Sequence, residues 1–147
     1  YGVAPKVSIH AAKVLGDNGG GSTSGIVQAM DWIVQKGQKP AIMSMSLGGP
    51  GRRSSYDAAV SAAHNAGITV VLAAGNSRSD ACYFSPAFAP DAVTVGATEK
   101  RNMDRRAGYS NYGPCLDIWA PGSDIVAPGH TDNIGSRAMS GTSMAAP

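Results

Sequence analysis

Residues 68–74 read ITVVLAA, an apolar run broken only by Thr69 and followed at once by Gly75-Asn76. A run this short and this continuously apolar indicates a strand buried on both faces rather than an amphipathic element. Its neighbours narrow the fold further. Ala41–Leu47 reads as a second buried strand, closed by Gly48-Gly49. Between the two, Ser54 or Ser55 opens a helix that reaches about Ala66 and stops at Gly67. Strand, helix and strand at this spacing form a βαβ unit, because parallel neighbours need a crossover of about a dozen residues.

The same pattern extends in both directions. Val7–Leu15 reads as a strand ended by Gly-Asp-Asn-Gly. Ser22 or Thr23 then caps a helix with apolar positions at Ile26, Met30, Ile33 and Val34, closing at Gly37 ahead of Pro40. Ala92–Ala97 is a further strand, and the turn-rich stretch 99–140 holds short strand candidates at Leu116–Ala120 and Ile134–Met139. The fold class expected is α/β, a three-layer, doubly wound, mostly parallel sheet with helices on both faces and right-handed crossovers. Ligands of such sheets gather at the carboxyl ends of the strands. Three small-residue turns are expected there: Gly19-Gly20-Gly21, Leu47-Gly48-Gly49 and Ala74-Gly75-Asn76.

Bulk properties set limits and name no function. The 147 residues make one domain or part of one, with a low charged fraction of 15% and nineteen glycines, which suits tight turns and close backbone approach. A net charge of +2 and scattered basic pairs (Arg52-Arg53, Lys100-Arg101, Arg105-Arg106) without aromatic interleaving argue against nucleic acid as a partner. No apolar run approaches a membrane span. Cys82 and Cys115 permit one disulfide or two free thiols, and no Cys/His cluster has zinc spacing.

Two residues could carry chemistry. Ser143, in GTSMAAP (141–147), stands at a helix start, where it is either an ordinary N-cap serine or a nucleophile beside unpaired backbone N–H groups. It does not fit the G-x-S-x-G elbow. Asn76, at the end of a buried strand, is either a turn residue or a side-chain donor to a developing oxyanion.

The order of six segments separates these readings. YGVAP (1–5), SMSLGG (44–49), ITVVLAAGN (68–76), FSPAFAPDAVTVGA (84–97), YSNYGPCLDIWAPG (109–122) and SGTSMAAP (140–147) together resemble the subtilisin-like serine proteases, the subtilases, over essentially the whole chain. The SPA and SNYG segments and the cysteines look most like the proteinase K and aqualysin branch. The resemblance implies a secreted serine endopeptidase with Ser143 as nucleophile and Asn76 as oxyanion donor. Gly19, Gly20 and Gly21 on one side and Ser46, Leu47 and Gly48 on the other would edge a groove that takes substrate as an added strand. Ala73, Ala74 and Gly75 would wall a roomy, uncharged specificity pocket, favouring cleavage after apolar or aromatic residues. Thr23 falls where many relatives carry a tyrosine over a second pocket.

The resemblance further implies structural calcium on the carbonyls of Pro90 and Ala92 and the carboxylate of Asp117, an all-oxygen set suited to that cation. It implies a Cys82–Cys115 disulfide as well. It implies polypeptide substrates, a pro-segment of the parent as a partner, a monomer, and no membrane or nucleic-acid partner; catalysis needs no cofactor.

A serine protease of this type also needs a histidine base and an orienting aspartate. The family's Asp-Thr-Gly and His-Gly-Thr-His segments precede YGVAP and are absent from this sequence. His10 lies inside the first predicted strand, His64 shares a helix face with Asp57 and Ser61, and His130 lies in a glycine-containing loop; none matches a catalytic position. The expectation is therefore a partial peptidase domain, inactive alone and incomplete at both ends. The alternatives are a non-catalytic subtilase-like peptide-binding domain and an unrelated α/β binding domain.

Overall fold

The computed structural model describes residues 2–101, 105–129 and 134–147. Helix α1 covers Thr23–Lys36. Strands β1 (Ile42–Met45) and β2 (Gly49–Pro50) lead to helix α2 (Ser54–Asn65) and strand β3 (Thr69–Ala73). A short 3₁₀ turn at Ala81–Tyr83 runs into β4 (Phe84–Ser85), followed by β5 (Val93–Thr98) and β6 (Ile118–Pro121). Strands β7 (Ile125–Pro128) and β8 (Ser136–Met139) precede the four-residue helix α3 (Thr142–Ala145).

The central sheet has the order β1-β3-β5-β6, and every pairing in it is parallel. Successive residues of β3 serve opposite faces, as the two-residue period of a strand requires. Val70 and Leu72 join a core with Ile26 and Met30 of α1 and Tyr56, Val60 and Ala63 of α2. Val71 and Ala73 face the other way, into a cluster with Val95, Ala97, Ala145 and Ala146. The three layers are thus the α1–α2 pair, the sheet, and α3. Burying a side chain as completely as Val60 or Leu72 contributes about 1.5–3 kcal/mol each.

Local chemistry sets the helix ends. Ser22 caps α1, its side chain accepting from the Gly25 N–H. Helix α2 opens at Ser54, one of the two serines expected to start it; its cap position falls on Arg53, with no side-chain cap bond. Gly67 ends the turn after α2 with φ of +77°, a conformation glycine adopts without steric cost.

Three expectations need correction. Val7–Leu15 is not a strand: it runs as irregular backbone, and Val7 and Ile9 are exposed. Among the described residues no strand lies beside it, and a strand exists only where a neighbour completes its hydrogen-bond ladder. Ala41–Leu47 shortens to β1, and only alternate residues, Met43 and Met45, are buried, because this strand is terminal in the sheet. Residues 134–139 contribute β8 only from Ser136, and its antiparallel partner β7 was not anticipated in the turn-rich stretch.

Candidate active site

A groove of about 590 Å³ opens beyond the carboxyl ends of β1 and β3. Its lining holds every residue expected to meet substrate: Gly19, Gly20 and Gly21; Ser46, Leu47 and Gly48; Ala73, Ala74 and Gly75; Asn76 and Ser143. Thr23, Ile26, Phe84 and Thr142 complete parts of the same wall. Residues spread along most of the chain therefore meet at one end of one sheet, as parallel α/β architecture dictates.

Asn76 is oriented by Thr142. Its Oδ1 accepts from the Thr142 backbone N–H at 2.8 Å and from the Thr142 hydroxyl at 3.0 Å. With the carbonyl end so engaged, the amide Nδ2, the only donor of the group, points away from Thr142. Thr142 is itself completely buried, and its hydroxyl accepts from the Gly75 N–H at 3.1 Å. One threonine thus ties the strand end that carries Asn76 to the residue before Ser143.

Ser143 lies in the first turn of α3, where backbone N–H groups have no partner inside the helix. Its carbonyl accepts from the Ser46 hydroxyl at 2.9 Å, a link across 97 residues that fixes α3 to the groove edge. Its own hydroxyl lies 3.5 Å from the Ser46 carbonyl, too long a contact to commit the proton. Neither His10 nor His64 lines the groove, among the described residues. His64 is exposed, in the last turn of α2. His130 falls outside the described residues.

Sequence reasoning missed three buried polar residues that line the groove or hold the loops behind it. Thr142 stands inside SGTSMA and went unassigned. Asn111, inside SNYG, is completely buried against the 74–79 loop, its side chain bonded to Ala74, Ser77 and Ser79. Ser85, inside FSPAFAP, donates to the Gly51 carbonyl at 2.6 Å and accepts from the Arg53 N–H at 2.9 Å, holding β4 to the start of α2. Each was present in a quoted motif, and the signal that could have found it was a polar residue between expected core segments.

The remaining assigned residues lie away from the groove. Cys82 and Cys115 form a disulfide with Cα atoms 5.2 Å apart. Asp117 precedes β6, its Oδ2 accepting from the Thr94 N–H at 2.7 Å while its own N–H donates to the Thr94 carbonyl at 2.9 Å. Pro90 and Ala92 lie just before β5. Two peptide carbonyls and an exposed carboxylate are hard oxygen donors, a set that fits calcium.

The family model described as the subtilase family matches residues 1–147. The chain is 50% identical to an extracellular serine proteinase of Thermus sp. (strain Rt41A), covering all of this chain and 35% of that protein. It is 44% identical to alkaline serine exoprotease A of Vibrio alginolyticus, covering all of this chain and 27% of that protein. Against the crystal structure of a cold-adapted subtilisin-like serine proteinase the TM-score is 0.84 at 44% identity, covering 90% of this chain and 47% of that one. The chain thus spans about a quarter to a third of these curated relatives and about half of the solved structure. With the motifs in order, the groove at the strand ends and the match along its full length, this chain belongs to the subtilase family.

Proposed function

We propose that the polypeptide carrying these residues is a secreted serine endopeptidase, and that residues 1–147 supply its nucleophile, oxyanion donor and substrate walls. The observation that supports this most is the shared lining: Ser143 and the Thr142-oriented Asn76 border one groove with two small-residue edges. A peptide laid between Gly19–Gly21 and Ser46–Gly48 would bind as an added strand, through backbone hydrogen bonds. Ser143 Oγ then attacks the scissile carbonyl carbon while its proton passes to a histidine base. The oxygen that gains charge accepts from Asn76 Nδ2 and the Ser143 N–H. Collapse expels the amine with that proton, leaving an ester on Ser143 that water hydrolyses. The base and its aspartate belong to family segments this sequence does not contain, so residues 1–147 alone are inactive. The small uncharged residues Ala73, Ala74 and Gly75 favour apolar or aromatic side chains in the pocket they wall. Calcium on Pro90, Ala92 and Asp117 would brace the starts of β5 and β6, and a pro-segment would be the parent's own partner. The active species is a monomer.

The test is hydrolysis of a chromogenic peptide by the full polypeptide. Ser143→Ala should cut kcat by roughly 10⁶-fold, the loss known for a subtilisin and carried over from it. A full polypeptide that binds the peptide tightly without turnover would instead establish the non-catalytic, peptide-binding reading.

A further inference from the structure

Asn76 stands at the tip of a loop whose ends are held by one buried side chain. Asn111 Nδ2 donates to the Ala74 carbonyl at 2.8 Å. Its Oδ1 accepts from the Ser77 N–H at 2.9 Å and the Ser79 N–H at 3.0 Å. Its backbone N–H donates to the Gly75 carbonyl at 2.9 Å. The amide therefore grips the chain two residues before Asn76 and one residue after it. Every donor and acceptor direction used is different, so the group has no freedom to rotate while these bonds persist. The close approach needs Gly75, whose absent Cβ would lie 2.5 Å from Asn111 Nδ2. Flanking bonds continue the template: Arg78 N–H to the Tyr109 carbonyl at 3.0 Å and Tyr112 N–H to the Ser79 carbonyl at 3.0 Å. Asn111 does not line the groove, so it reaches substrate only through the loop.

We infer that Asn111 is a positioning residue for the oxyanion donor: it sets the place of the Asn76 backbone, while Thr142 sets the rotation of the Asn76 amide. This rests on the endopeptidase reading above. Catalysis by a preorganised donor depends on distance to where charge develops, and a displacement of about 1 Å can cost about 10²-fold. Loss of the grip should therefore appear in kcat rather than in substrate affinity, and only while Asn76 is present to be misplaced.

The experiment is a double-mutant cycle in the full polypeptide. Asn111→Ala is expected to lower kcat by about 10–100-fold with KM changed less than threefold. In an Asn76→Ala background the same change should lower kcat less than threefold further. Asn111→Asp provides the second arm, keeping the volume and an oxygen to accept from the Ser77 and Ser79 N–H groups but losing the donor to the Ala74 carbonyl. It should give the same kcat pattern with a lowered thermal midpoint, because a carboxyl oxygen then faces the buried Ala74 carbonyl, so kcat is read at a temperature where each variant is folded. Equal losses in both backgrounds, losses confined to KM, or no loss in either variant would overturn the inference. An inactive wild type would overturn the endopeptidase reading instead, so the two failures are distinct.

Discussion

Gly75 is the residue where backbone chemistry and site geometry meet. It adopts φ of +101°, which L side chains seldom take, and the buried Asn111 amide occupies the space of a side chain. Both demands fall on one position of the AAGN turn, and both would be violated by a single methyl group. Gly75→Ala is expected to destabilise the full polypeptide by about 2–4 kcal/mol, adding left-handed strain to overpacking. Urea unfolding midpoints check this, and an unchanged midpoint would show that the turn relaxes freely. The polar residues around Gly75 each hold two segments at once. Thr142 joins strand end to α3, and Asn111 joins the 107–112 segment to the loop after β3.

At the scale of elements, β5 is the strand that links the site to the far side of the sheet. It pairs with β3 on one side and β6 on the other, and Gly96 lets Trp119 and Leu116 pack where a side chain would stand. Asp117 closes the β5–β6 pair through its two bonds with Thr94. A calcium ion held there with the Pro90 and Ala92 carbonyls would couple the start of β5 to β6, and such binding stabilises the folded state by mass action. Added calcium should raise the thermal midpoint of the wild type, and Asp117→Asn should abolish most of that increment. An equal calcium response in both proteins would remove Asp117 from the ligand set. The helices have a more local signal: the Ser22 cap and the spacing of Ile26 and Met30 mark α1 in the sequence, while packing against β3 and α2 buries that face.

Across the whole molecule, two kinds of link tie remote segments together: buried polar side chains and the Cys82–Cys115 bond, which closes a separation of 33 residues. In the chain-entropy account a loop of that size stabilises by about 3–4 kcal/mol. Reductant should lower the unfolding free energy of the full polypeptide by that amount, measured by urea titration with and without a thiol. No difference would mean the segments are held by packing alone. The parallel sheet, α1, α2 and the placing of small turns at strand ends were legible from apolar period and turn chemistry, because those signals are local. Ser143 and Asn76 were legible only as members of an ordered set of motifs, since a serine at a helix start and an asparagine in a turn are each common alone. The irregular course of residues 7–15 and strand β7 were not legible, because a strand exists only where a partner completes its ladder. The roles of Thr142, Asn111 and Ser85 were likewise hidden, because a hydroxyl or amide bears no mark of a partner some 30 to 70 residues away. The amino-acid sequence by itself determined the family, the layers and the identity of the groups around the groove. Tertiary structure alone decided how those groups are aimed, because orientation comes from buried hydrogen bonds between segments that meet only when the sheet has formed.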